Sequence, residues 1–213
     1  MTAQTGTEPE QDSGRWYLLM DPHWTPEEAD EAPPIEAVAG AWPVEEDDEV
    51  GLFQPNPDYQ PTDETLPTDP VDALLRDLAE GNGEPEHVRA LLRQSLVFQA
   101  MNGDGRPLVM PAPDDTLCVV LATAAPHAER VPAPVWRRVD YAGFVEELVD
   151  GVDVLVNPEG PAAVRLTGTF VREGQEADEA FLAEYAPSDK DSQLYVMPWK
   201  AGEAGPDSDA ERP

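Results

Sequence analysis

Bases are scarce in this 213-residue chain: Lys and Arg number 13 against 44 Asp and Glu, for a formal net charge of −31. Phosphates and anionic lipid are bound through basic side chains that release counterions, so nucleic acid and acidic membrane surfaces are not expected partners. Cysteine is nearly absent. Cys118 stands alone, which rules out an intrachain disulfide and gives no sign of an oxidising compartment. Long apolar runs are missing as well. Leu117 to Ala122 is the longest, far short of the roughly 20 residues of a membrane helix. The opening MTAQTGTEPEQDSG lacks the basic-then-apolar order of a signal peptide. The expectation is a cytoplasmic, soluble protein with no direct membrane insertion.

The acids are unevenly spread. Residues 1–75 carry one base, Arg15, and nineteen acids, residues 76–140 carry seven arginines and nine acids, and residues 141–213 carry five bases and sixteen acids. A nearly neutral middle thus lies between two acidic flanks. Such a surface attracts a basic partner over distance, or simply keeps the chain soluble. Twenty-four prolines keep helices short and loops many. Residues 1–13 and 200–213 have too few large apolar groups to offset the entropy of ordering, and are expected to be disordered tails.

Between the tails the pattern predicts an α+β chain. Strands are expected at Arg15–Asp21, Ile35–Val44 and Val50–Gln54, with Thr25 capping a helical turn after the first. With Trp16, Trp24, Trp42, Phe53 and Tyr59 among them, residues 14–60 read as a small aromatic-rich antiparallel unit. A Pro-rich connector and a helix fill residues 61–83. Thr68-Asp69-Pro70 offers a cap and a first-turn proline, and Val71, Leu74, Leu75 and Leu78 follow at helical spacing.

Residues 84–199 read as a mixed α/β domain with flanking short helices. A second helix spans Pro85–Gln94. Leu96–Met101 and Pro107–Met110 flank Asn102-Gly103-Asp104-Gly105, a hairpin signal. Thr116–Thr123 is the most apolar segment and the expected central strand. One helical turn follows at Ala124–Glu129, then a strand at Trp136–Asp140 with Arg137 and Arg138 exposed. A helix over Tyr141–Val149 turns Phe144, Val145, Leu148 and Val149 inward. The stretch Val152–Leu166, VDVLVNPEGPAAVRL, reads as buried strand, Asn-Pro turn and return strand. A last helix near Gln175–Tyr185, capped by Thr167 or Thr169, and an apolar segment at Leu194–Trp199 complete the chain.

Patterns that carry chemistry fail on named residues. There is no phosphate-cradling GxxxxGK[ST], no GxGxxG and no GxSxG elbow. A calcium loop over residues 100–111 would need ligands where Ala100 and Pro111 stand. His23, His87 and His127 are isolated and read as surface or turn residues, without metal-ligand spacing. Cys118 sits in LCVVL and reads as a small buried hydrophobe. Acid pairs such as Asp47-Asp48, Asp114-Asp115 and Glu146-Glu147 read as solvated, without the burial that raises the pKa of a general acid. No catalytic residue, cofactor or metal site is therefore expected, nor an enzyme.

Partner-binding candidates remain. Trp136 with Arg137 and Arg138 forms the one adjacent basic pair, suited either to a partner carboxylate or to the chain's own acids. Trp24 and Trp42 lie beside prolines at element ends, where aromatics meet partners. Asn157 and Glu159 occupy a turn beyond a strand's carboxyl end, a place where α/β domains present ligand sites.

Two resemblances emerge from these residues. From about 88 to 172 the chain resembles the amino-terminal domain of the SseB (enhanced serine sensitivity protein) family, through LLRQSLVFQAM, GRPLVMP, TLCVVLATAAPHA, YAGFVEELVDG and VDVLVNPEGPAAVRL. It departs from that family at Ala122-Thr123-Ala124, where members often carry Phe-Thr-Ser. From about 14 to 80 it is similar to the amino-terminal part of actinobacterial type VII secretion system-associated proteins, through GRWYLLMDPHW, AVAGAWPV, GLFQPNPDYQPT and LPTDPVDALLRDLAEG. The resemblance implies a non-enzymatic accessory role, with protein partners among the secretion components or substrates. It supplies no catalytic residues and assigns no oligomeric state. Two other readings stay open: a small-molecule-binding protein or metabolic enzyme using the Asn157–Gly160 turn, and an acidic regulator of a basic partner.

Overall fold

The computed structural model describes residues 15–26, 32–45 and 48–175. The expected tails, the bulk of the helix at 175–185 and the segment 194–199 lie outside the described residues, as does the continuation of the turn begun at Thr25. The fold is α+β, with two sheets and helices gathered on one of them.

The first sheet is antiparallel, in the order β1 (Arg15–Met20), β2 (Val38–Val44), β3 (Gln54–Pro55). Its strands are shorter than the apolar pattern predicts. Ile35–Ala37 form a 3-10 turn instead of the start of a strand, closed by Ala37 N–H to Pro34 O at 3.0 Å. The Asn56 side chain holds that turn by donating to Ile35 O and Val38 O. The expected strand Val50–Gln54 is also displaced. Val50 makes a lone bridge to Val44, and Phe53 turns its backbone away from the sheet. Phe53 N–H donates to Gln94 O at 2.7 Å, and its carbonyl accepts from Leu96 N–H at 2.8 Å. This bridge joins the small sheet to the rest of the molecule. The Phe53 ring, buried, lies tilted against Trp42 with centroids 4.7 Å apart.

The helices α1 (Pro70–Ala79) and α2 (Pro85–Arg93) follow, and the Asp69 side chain caps α1 by accepting from Val71 and Asp72 N–H. The second sheet has the order β7 (Val135–Val139), β4 (Val97–Met101), β6 (Leu117–Ala122), β8 (Asp153–Val156), β9 (Val164–Leu166), with β5 (Val109–Pro111) also on β6. It is mixed: β6 and β8 are parallel and every other pairing is antiparallel. The glycine-rich turn at 102–105 forms, with Asn102 N–H bonded to Arg106 O. The chain then leaves β4 after a lone Met101–Pro107 bridge, and β5 continues along the edge of β6 that β4 vacates.

One face of this sheet carries the main core, where Val97, Val119, Leu121, Val154 and Val156 meet helices. Val71 and Leu75 come from α1 and Val88 and Leu92 from α2. Phe144 and Val145 come from α4 (Tyr141–Glu146), and Val171 from α5 (Gly168–Gln175). The opposite face buries a smaller set, Ala100, Val120 and Val131, with Leu108, Met110 and Trp136 packed on it. The fourth helix stops earlier than its periodicity suggests. Beyond Glu147 the helical phase is lost, so Val149 faces solvent at 64 % exposure instead of packing inward. The fifth helix starts earlier than expected, with the Thr167 hydroxyl accepting from Phe170 N–H. The one turn α3 (Ala125–Ala128) follows β6 directly.

Candidate functional site: a closed polar cluster and an open apolar groove

The carboxyl ends of the parallel strands β6 and β8 lie side by side, facing the amino end of α1. Four segments place polar side chains there: Thr68, Asp69 and Asp72 before and in α1, Thr123 after β6, His127 in α3, and Asn157 after β8. All are buried. Asp69 accepts through Oδ2 from the Thr123 hydroxyl at 2.7 Å and the Thr68 hydroxyl at 2.9 Å. Asn157 Oδ1 accepts from Thr123 N–H at 2.9 Å, and Asn157 Nδ2 donates to Thr123 Oγ1 at 2.9 Å. A hydroxyl donates once, so Thr123 gives its hydrogen to the carboxylate and receives one from the amide.

The same rule assigns the imidazole. Thr68 gives its hydrogen to Asp69, so its oxygen accepts from His127 Nε2–H at 3.0 Å. Asp72 Oδ1 lies 3.4 Å from that nitrogen, while Asp72 Oδ2 takes Arg76 Nε–H and Thr68 N–H. His127 Nδ1 has no partner and faces Gly160, where a Cβ would come within 3.0 Å of it.

The electrostatics follow from this arrangement. Burial raises the Asp69 carboxyl above its ordinary range, and the nearby Asp72 charge adds to this, against the hydrogen bonds from Thr123 and the α1 backbone. Burial acts on Asp72 too, but the His127 and Arg76 contacts outweigh it and hold that carboxyl below its ordinary range.

The acid, imidazole and hydroxyl of this cluster suggest a nucleophilic triad until the nitrogens are compared. A triad orients its base through one ring nitrogen and uses the other on the hydroxyl. Here Asp72 and Thr68 both meet Nε2, and Nδ1 meets a glycine. The arrangement suits a clasp between α1, β6 and β8.

This corrects two sequence expectations. His127 is a buried residue, 1 % exposed, not a surface or turn residue, and Thr68 and Asp72 meet its Nε2 in the interior. Asn157, at 0 % exposure, is not available to a partner: its amide is consumed by Thr123. Glu159, next in the same turn, is exposed, and both residues have positive φ, 50° and 60°. A cleft of about 590 Å³ opens beside this turn, walled by Met110, Val131, Leu155 and Pro158, with Arg130 and Glu159 as its charged residues.

A second concavity, of about 370 Å³, lies on the outer face of the small sheet. Strand alternation puts Trp16, Leu18, Ala41 and Gln54 on that face, and the β1–β2–β3 register pairs Leu18 with Ala41 and Ala41 with Gln54. Proline-bearing loops around Ile35 and Asn56 form its walls, and Arg138 its one charged lining residue. Trp16 is 40 % exposed and Ile35 56 %.

The expected basic pair is split. Arg138 reaches across to donate to Pro55 O at 3.0 Å, with its guanidinium 5.6 Å from the Phe98 ring centroid. Arg137, expected exposed, turns to Gln99 Oε1 at 2.8 Å and to Glu147, because Gln99 is its cross-strand neighbour in the β4–β7 register. Trp136 is half-buried on the smaller core, Trp42 is engaged with Phe53, and Trp24 is half-buried in the turn after β1. The structure thus brings Arg138 together with Trp16 rather than with Trp24 or Trp42.

Among the described residues no His, Cys, Asp and Glu group could hold a metal ion, and no helix is long and apolar enough to cross a membrane. Comparison with family models, with curated proteins and with solved structures returns no match.

Proposed function

We propose that this chain is a non-enzymatic accessory protein of type VII secretion, working in the cytoplasm by protein–protein contact. The groove of the small sheet carries the contact half of the reading. A half-exposed Trp and an exposed Ile flank an arginine there, and Trp and Arg are residue types that anchor protein interfaces. The secretion half rests on the resemblance of GRWYLLMDPHW, GLFQPNPDYQPT and LPTDPVDALLRDLAEG to secretion-associated proteins. The polar cluster fits this reading because its groups are turned on one another instead of on an opening. Co-purification of the full chain from actinobacterial cells with the secretion locus intact and deleted tests it. Secretion components are expected only from the intact strain, and identical partner sets would refute the proposal.

The cleft beside Pro158 favours a second reading, a small-molecule binder using the 157–160 turn, since its size falls within the roughly 300–1,000 Å³ of ligand pockets. A thermal-shift panel of metabolites tests it: a stabilising ligand lost on Leu155→Arg supports it, and a flat panel rejects it.

A further inference from the structure

Arg138 has a structural bond but, among the described residues, no counterion. Its neighbour Arg137 pairs with Glu147, and Arg15, Arg76 and Arg165 each meet a carboxylate. Arg138 has none among the described residues. Its guanidinium is nevertheless held in place, by Pro55 O on one side and the Phe98 ring on the other. A guanidinium offers five N–H donors in a fixed fork, and the Pro55 bond uses one of its nitrogens. Arg138 is exposed, so its remaining donors are open to a partner at a wall that is otherwise apolar or uncharged.

We infer that the groove takes an apolar peptide segment of another protein whose carboxylate pairs with Arg138 while its large side chains pack on Trp16 and Ile35. The inference rests on the contact reading above and gives that contact its chemistry. A second copy of this chain is disfavoured as occupant, since each copy brings a net charge of −31.

Panning a random 12-residue peptide display library against the immobilised full chain, at physiological ionic strength, tests the inference. The expected selection is a shared acidic residue flanked by large apolar ones. A synthetic peptide of that sequence should lose about tenfold or more in affinity on Arg138→Ala, as interface arginines do, and more on Arg138→Glu. Replacing the peptide's acid by its amide should cost a similar factor against the wild-type chain and almost nothing against Arg138→Ala. Because Arg138 also bonds Pro55 O, Ile35→Asp serves as a second variant. Ile35 is exposed and outside the core, so this change should weaken binding with an unchanged melting temperature.

Selection of apolar peptides without an acid, of basic peptides, or of none would overturn the inference. So would a dimer abolished by Ile35→Asp. Peptide binding as expected, with no secretion component co-purified, would refute the secretion reading alone. The reverse pair of results would refute the carboxylate segment alone.

Discussion

Replacing Asn157 separates its structural work into parts that can be measured. In Asn157→Ala, Thr123 N–H is left buried without its 2.9 Å acceptor, at about 1–3 kcal/mol. The bond from Nδ2 to Thr123 Oγ1 is lost as well, worth about 1 kcal/mol. Alanine at φ 50° adds about 1–2 kcal/mol of left-handed strain that asparagine tolerates better. The total is about 3–6 kcal/mol, a large part of the roughly 5–15 kcal/mol that holds a domain folded. Asn157→Gly should recover about 1 kcal/mol of this by removing the strain and nothing else. Asn157→Asp keeps the Oδ1 acceptor but sets a carboxylate against Thr123 Oγ1, whose hydrogen is already given to Asp69. Two buried carboxylates then face one hydroxyl, and the introduced group has a raised folded-state pKa. A raised pKa favours the folded state below the unfolded value and works against it as pH rises, so this variant should be less stable than Asn157→Ala at pH 7 and gain on it towards pH 4. Urea unfolding followed by circular dichroism and tryptophan fluorescence measures all three. An alanine cost under about 1 kcal/mol, or an aspartate variant equal to alanine at pH 7, would refute the closed cluster and imply that water reaches it.

Three further outcomes can be checked independently. Asp21 is buried and accepts from His23 N–H, Thr62 N–H and the Tyr59 hydroxyl; burial pushes its carboxyl up, but the Thr62 and His23 amides outweigh this and hold it below the ordinary range. Its contribution is therefore present above the unfolded value near 3.8 and lost as pH falls through the lower folded value, so Asp21→Asn should cost about 1–3 kcal/mol at pH 7 and flatten the acid limb of a stability–pH curve. Gly40→Ala places a Cβ 2.3 Å from Phe53 Cζ and 2.7 Å from Gln54 O, so β2 or the ring must move; a loss of about 1–3 kcal/mol and a changed near-ultraviolet signal from the Trp42–Phe53 pair are expected on urea titration. Burial raises the Cys118 thiol pKa, with the Asp153 charge adding to it, so Ellman's reagent at pH 8 should react with it only in denaturant, and fast native labelling would refute the buried position.

The parts of this fold legible in the sequence are those whose cause is local. Asp69-Pro70 announces the start of α1 because cap and helix are adjacent, and LCVVLA announces a central strand because both its faces must be apolar. The Asn-Pro turn after β8 is likewise readable. What it does is not, since the partner of Asn157 is Thr123, 34 residues earlier. His127 shows the same limit: its burial depends on Thr68, 59 residues away, and nothing beside it in the chain signals that contact. Nor does the alternation of residues 50–54 reveal that Phe53 spends its backbone on Gln94 and Leu96. Arg137 and Arg138 look equivalent as neighbours and diverge because strand alternation sends one to Gln99 and the other to Pro55.

The bridge at Phe53 also sets an order of events during synthesis. Residues 15–55 are synthesised before Gln94 and Leu96, and at about 5–20 residues per second the delay is roughly 2–8 s. Throughout it the Phe53 backbone has no partner and the aromatic side of the small sheet has nothing to dock on. The groove wall is later still, because Arg138 is delivered only by β7, after β4 and β6 have emerged. Under the inference drawn above, a segment that requires Arg138 cannot bind before β7 has emerged and paired with β4, so the groove on the first sheet is completed only by a strand of the second.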